Sequence, residues 1–122
     1  MGLLERFGRS WRRMAESDEQ RYAEEIEAWA STVPGTVRIR DARTRDRSKL
    51  AGVVRRITVR PMEGHESLEA LLYDGTGEVT VVWMGRRTLP GLRLGTRLVV
   101  DGMLAEQRGG RRLVNPTFEF GT

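Results

Sequence analysis

The sequence predicts a small, mainly β protein, a closed or nearly closed five-stranded barrel preceded by an N-terminal α-helical segment. Apolar residues recur every three to four positions up to Pro34 and every second position after Thr36. Five β-rich segments follow, and glycines lie inside the first and the fourth, at Gly52 and Gly102. A glycine inside a strand marks a bulge or bend, and strands that bend in this way are typical of small barrels.

The N-terminal segment, 1–34, is predicted to be an amphipathic helical extension made of two helices. Ser17 and Gln20 have the spacing of a capping box, which would begin the second helix, and Pro34-Gly35 would end it. The apolar stripes are Leu3, Leu4, Phe7, Trp11 and Met14 in the first helix, then Tyr22, Ala23, Ile26, Trp29 and Ala30 in the second. The first stripe could pack on its own domain, associate with another copy or lie on a membrane surface.

The second predicted domain, 35–122, holds the strands of the barrel. They are expected at 50–60, 68–74, 78–84, 96–107 and 112–120. Asp74-Gly75 between the second and third segments is a strong hairpin signal. Pro116 limits the fifth segment to an edge strand or to a break within it, because proline cannot donate to a β-ladder.

The alternation of side chains along the second and third strands predicts which residues face the core. Val79, Val81 and Trp83 are expected inside the barrel, together with Leu68 and Leu72. The opposite, outward side of the same two strands would carry Leu71, Tyr73, Thr80, Val82 and Met84. Leu71, Val82 and Met84 would therefore form an exposed apolar set.

Three motifs along 49–120 resemble the OB-fold, a five-stranded Greek-key barrel found in the anticodon-binding domains of aspartyl-type tRNA synthetases and in the wedge domain of RecG-type helicases. They are Ala51-Gly52-Val53-Val54, LYDGTGEVTVVW at 72–83 and LGTRLVVDG at 94–102, and the resemblance covers 72 of the 122 residues. The N-terminal helices have no counterpart in those domains. The whole chain also resembles small stand-alone OB-fold proteins of actinobacteria, which are described as nucleic-acid-binding.

The resemblance implies that single-stranded nucleic acid lies across the second and third strands, between the loops that join strands one to two and four to five. Residues 32–122 carry 16 basic and 10 acidic side chains, and basic clusters flank this face. The expected phosphate-binding residues are Arg55, Arg56, Arg60, Arg86, Arg87, Arg108, Arg111 and Arg112. Tyr73 is the one aromatic residue expected to stack on a base, which implies modest, sequence-tolerant affinity.

The sequence offers little for catalysis, so a non-enzyme without a cofactor or a metal is expected. It contains no Cys and a single His, His65, which lies in a Gly-containing segment between two glutamates. Thiol catalysis and thiolate zinc sites are therefore excluded, and a second imidazole is missing. No apolar run approaches the ~20 residues of a membrane span, and no secretory signal is visible. A cytoplasmic protein is the simplest expectation.

Two functions remain open. The first is a non-catalytic module that binds single-stranded DNA or RNA through Arg–phosphate contacts and limited stacking, because OB-folds serve both nucleic acids. The second is a protein–protein interaction or oligomerisation module that uses the barrel face or the N-terminal helices. A membrane partner is not expected.

Overall fold

The computed structural model describes residues 3–107 and 109–121, with backbone alone for 3–9 and 62. One α-helix, α1 (Leu3–Thr32), and a 3-10 turn, Ile39–Asp41, precede the strands. The strands are β1 (Arg47–Met62), β2 (His65–Tyr73), β3 (Glu78–Met84), β4 (Arg97–Gln107), β5 (Gly110–Val114) and β6 (Thr117–Phe120).

The strands form a closed ring in the order β1-β2-β3-β5-β4, and a second pairing of β1 with β4 closes it. β3 and β5 run parallel, while the other pairs are antiparallel. A five-stranded ring with this connectivity behind an N-terminal helix is an OB-fold barrel. The predicted fold class is therefore confirmed.

β1 is long enough to serve both neighbours. Its first half, up to Val53, pairs with β4, and its second half, from Val53, pairs with β2. The β-bulge lies between Val54 and Arg56 rather than at Gly52, so the prediction of a bulge at that glycine was wrong. Gly52 is needed for close approach instead, since a Cβ there would lie 2.5 Å from the carbonyl oxygen of Tyr73.

The fifth predicted strand is broken into β5 and β6, as Pro116 had suggested. β5 pairs with β3 and the second half of β4, whereas β6 pairs with the first half of β4. At the break Asn115 adopts a left-handed conformation (φ 49°), and its side-chain oxygen accepts a hydrogen bond from the backbone N–H of Met84 at 2.9 Å. The break thus moves the chain from one sheet partner to another.

The N-terminal segment is one helix of 30 residues, so the prediction of two helices was wrong. Ser17 and Gln20 lie inside it, because 9–33 contains no glycine or proline that would interrupt helical hydrogen bonding. The predicted end is confirmed: α1 stops at Thr32, and Gly35 takes the left-handed conformation with φ +80°.

Of the described side chains of α1, those of its C-terminal part pack against the barrel. Ile26 and Ala30 are buried, and Ala30 lies in a small cluster with Ala51 of β1 and Val99 of β4. The described residues 10–22 are all exposed. Packing on its own domain, one of the three alternatives for the first apolar stripe, is therefore wrong for Trp11 and Met14; the side chains of Leu3, Leu4 and Phe7 lie outside the described part of the chain.

The barrel core matches the alternation predicted from the sequence. Val79, Val81 and Trp83 are buried, as are Leu68 and Leu72. Trp83, 4% exposed, meets the ring of Phe118 edge to face at a centroid distance of 5.6 Å.

The 3-10 turn contributes Ile39, a fully buried side chain, to this core, and the β2–β3 turn holds it there. The Asp74 carboxylate accepts the Ile39 N–H at 2.8 Å and, within its own turn, the N–H groups of Thr76 at 2.8 Å and Gly77 at 3.1 Å. One buried carboxylate therefore joins two segments 35 residues apart in the chain.

Candidate nucleic-acid interface

The second half of β1 with β2, β3 and β5 presents one continuous outward surface, called the outer face here. The strand register aligns Arg56, Leu71, Thr80 and Arg112 in a single row across these four strands. The outer face comprises Arg55, Arg56, Thr58, Arg60, Glu69, Leu71, Tyr73, Thr80, Val82, Met84 and Arg112. The predicted outward side chains of β2 and β3 and four of the predicted phosphate-binding arginines therefore lie on one wall of the barrel.

The β1 bulge brings Arg55 over the ring of Tyr73. The guanidinium carbon lies 4.0 Å from the ring centroid, in a cation–π arrangement, and Arg55 also reaches Glu78 of β3 at 3.6 Å. Tyr73 is half-buried on the outward side of β2, on the side that alternation predicts. The ring and the planar guanidinium together form a surface on which a nucleic-acid base can stack.

Glu69 lies among the basic residues of the outer face. Its Oε2 forms ion pairs with Nε of Arg60 at 3.0 Å and with Nη2 of Arg112 at 2.9 Å. Glu69 was not among the residues predicted from the sequence. A signal existed, because a lone carboxylate within the apolar run LEALLY is rarely buried unless it is paired.

Val82 lies on the outer face but is only 5% exposed, so the prediction that it is an exposed apolar residue was wrong. It lines a shallow depression of about 100 Å³ together with Glu69, Arg112 and Val114. β5 runs parallel beside β3 and covers it, a neighbour that local alternation does not reveal. Leu71 is half-buried and Met84 is exposed.

The other predicted cations of β1, and those that follow β3, lie at the surface. Arg56 is exposed and has no ion-pair partner among the residues that the structure describes. Arg56 and Arg60 lie within β1, which continues to Met62, rather than in the loop after it. Arg86 and Arg87 follow β3 directly and are exposed, and Nε of Arg87 is 2.9 Å from Glu66.

The two described cations that follow the β4–β5 turn, Arg111 and Arg112, have different surroundings. Arg112 lies on the outer face, whereas the guanidinium of Arg111 turns to the end of the barrel below the 3-10 turn. There its Nη1 donates to the carbonyl oxygens of Ile39 at 2.6 Å and Ala42 at 3.2 Å. Arg111 thus has internal partners that hold the turn in place. Arg108 lies outside the described residues.

A larger groove of about 440 Å³ lies between α1 and the barrel. Glu24, Glu27 and Asp74 line it, and Arg38 contributes the cation, 3.7 Å from Glu27. Three carboxylates against one guanidinium make this groove unfavourable for a phosphate chain. The outer face, though shallower, carries four guanidiniums against the carboxylates of Glu69 and Glu78.

No group of three or more potential metal-ligating side chains occurs in the described part of the chain. His65, at the start of β2, is exposed. In the same ranges, 3–107 and 109–121, no helix has the length and apolar character required to cross a bilayer.

Comparison with known proteins gives a likeness of fold. No protein-family model matches the chain, and no curated protein matches it. Among solved structures, the chain is similar to a chain of a replication protein A heterotrimer bound to single-stranded DNA. The identity is 17% and the TM-score 0.51, over 74% of this chain and 68% of the other. This similarity supports the barrel topology described above.

Proposed function

We propose that this protein is a non-catalytic nucleic-acid-binding module that holds single-stranded DNA or RNA on the outer face of its barrel. The observation that carries the proposal is the Tyr73–Arg55 stack beside the guanidiniums of Arg56 and Arg112. An aromatic platform adjoining a row of cations is the combination that single-strand binding requires, since bases need a π surface and phosphates need positive charge.

The outer face can bind a base and the phosphates of the strand with different residues. A base stacks on the Tyr73–Arg55 pair, while neighbouring phosphates lie against Arg56, Arg60 and Arg112. Arg86 and Arg87 extend the positive surface beyond the end of β3. One stacking platform contributes roughly 1–3 kcal/mol, so the affinity is modest and tolerant of sequence.

The fold supports the proposal from a second direction. The chain to which this protein is similar belongs to a replication protein A heterotrimer that is bound to single-stranded DNA. In OB-folds generally, oligonucleotides lie across the face of strands two and three. In this chain, that is the wall on which Leu71, Tyr73 and Thr80 lie.

Fluorescence anisotropy with labelled single-stranded DNA, duplex DNA and structured RNA, each titrated over a series of salt concentrations, tests the proposal. The single strand should bind more tightly than the duplex. Its log affinity should fall linearly with log salt, with a slope of about −2 to −3 for three to four phosphate contacts. No salt-dependent binding to any of the three would contradict the proposal.

Variants locate the site. Tyr73→Ala should weaken binding by roughly 5- to 150-fold, the loss of one stacked base. Arg56→Ala/Arg112→Ala should weaken it and flatten the salt slope by about 1.4, because two phosphate contacts are lost.

The matched control is Arg47→Ala/Lys49→Ala, which removes two cations from the wall of β1 that faces α1. These residues pair with β4, next to the cluster of Ala51 and Val99. The salt slope of this control should flatten by much less than that of Arg56→Ala/Arg112→Ala. If the control weakens binding as much, general positive charge rather than the outer face is responsible.

A further inference from the structure

Helix α1 carries its apolar stripe well past the point where it meets the barrel. Trp11, Tyr22 and Trp29 are spaced by 11 and 7 residues, about three and two helical turns, so they lie on one side of the helix. Trp29 packs against the barrel cluster, but Trp11 is 65% exposed, and Met14 and Tyr22 are exposed as well. The same stripe is thus covered at one end and open to solvent over 10–22, a length of roughly 20 Å.

The helix is also divided by charge. Residues 3–15 contain four arginines and one glutamate, a net charge of +3, whereas 16–27 contain six carboxylates and one arginine, a net charge of −5. Helix dipoles favour the opposite arrangement, with acidic side chains at the N-terminus. The charge distribution therefore does not stabilise the isolated helix.

We propose that the exposed stripe of α1 pairs antiparallel with α1 of a second copy of this chain. An antiparallel pair lays the basic half of each helix beside the acidic half of the other, whereas a parallel pair would place like charges together. Arg12, Glu16 and Glu19 lie on one flank of the stripe by their helical spacing. A two-fold axis near the middle of the exposed stretch sets Arg12 of each copy against the acidic flank of the other.

The second copy covers Trp11, Met14 and Tyr22, which the barrel leaves exposed. Because α1 packs on the wall formed by Ala51 and Val99, pairing of the helices leaves the outer face accessible in both copies. The self-association therefore stands or fails independently of nucleic-acid binding.

Sedimentation equilibrium of the full chain tests this pairing, over about 1 µM to about 1 mM to include weak association. The mass should rise toward twice the 13.9 kDa of one chain. Arg12→Glu/Arg13→Glu should weaken the association by at least about tenfold, and Glu16→Arg/Glu19→Arg should do the same, because each makes the flank at positions 12, 16 and 19 uniform in sign, so that like charges of the two copies meet there.

Combining all four substitutions should restore the dimer, since it inverts the charges at positions 12, 16 and 19 and leaves that flank complementary between the two copies. Circular dichroism shows whether each α1 double variant keeps its helix. Arg43→Glu/Arg93→Glu, on exposed loops of the barrel, makes the same charge change as Arg12→Glu/Arg13→Glu and is its control. It should leave the association within about threefold of the original. A single-chain mass throughout the series would overturn the pairing, as would a dimer that survives in both α1 double variants.

Discussion

Glu69 and Arg112 form an ion pair on the outer face, with 2.9 Å between Oε2 and Nη2, although β3 lies between their strands. Their side chains are 8% and 13% exposed, so water screens the pair weakly. Arg60 shares the same carboxylate oxygen. Two of the cations that could bind phosphate are thus partly neutralised, and a bound strand must compete with Glu69 for them.

Glu69→Gln should increase affinity for single-stranded DNA several-fold, because the amide attracts Arg60 and Arg112 less than the carboxylate does and leaves both for phosphate. The same change should lower the free energy of unfolding by about 1–3 kcal/mol, the cost of leaving the nearly buried guanidinium of Arg112 without a charged partner. Anisotropy and urea unfolding measure the two effects.

Glu66→Gln is the matched control for this substitution. Glu66 pairs with Arg87 at the surface, where ion pairs contribute about 0–1 kcal/mol. Its stability should barely change. If Glu69→Gln left affinity unchanged, Glu69 would not be competing with phosphate.

Arg111 and Arg112 are neighbours in sequence and should behave differently. Arg111→Ala removes donors to the carbonyls of Ile39 and Ala42, and should lower stability by about 1.5–3 kcal/mol with nucleic-acid affinity little changed. Arg112→Ala should instead reduce the salt slope by about 0.7, one phosphate contact on a single strand. The opposite assignment of the two effects would contradict the geometry of β5.

Trp83→Ala should cost about 3–5 kcal/mol in urea unfolding, because it empties a buried site in contact with Phe118. Trp11→Ala, at an exposed position of α1, should change stability by less than about 0.5 kcal/mol in dilute solution, where single chains predominate. Equal losses for the two substitutions would show that Trp83 is not part of the core.

Asp74→Ala should lower the free energy of unfolding by about 3 kcal/mol or more, since three backbone N–H groups lose a charged acceptor. Asp74→Asn, which keeps one acceptor oxygen, should lose less. Asp41→Ala is the control, because Asp41 is exposed and its carboxylate lies 3.7 Å from Nε of Arg40. Thermal or urea unfolding that ranks the control with Asp74→Ala would argue against this role.

The sequence was sufficient to predict both sides of the β2–β3 hairpin. Strand side chains alternate with a period of two, and the Asp74-Gly75 turn sets the register, so Trp83 inside and Tyr73 outside follow from local pattern. The barrel was predictable for the same reason, because glycines mark its turns and Pro116 marks the break between β5 and β6, although the bulge of β1 lies away from any glycine.

Features that depend on distant neighbours were not predictable. The carbonyls that hold Arg111 are 72 and 69 residues away in the chain, so strand alternation could place Arg111 opposite Arg112 but could not identify its partners. Val82 is covered by β5, which follows β3 only after the whole of β4. The single helix was missed for a different reason, since Ser17 and Gln20 fit a helix interior as well as a helix start.

Amide chemical-shift mapping of the full chain, titrated with an unlabelled single-stranded oligonucleotide, tests the assignment of the outer face most directly. The largest shifts should fall on Arg56, Tyr73, Thr80 and Arg112, with little change at Val99 on the wall beneath α1. Shifts concentrated on α1 and Val99, or spread evenly over the barrel, would contradict the account.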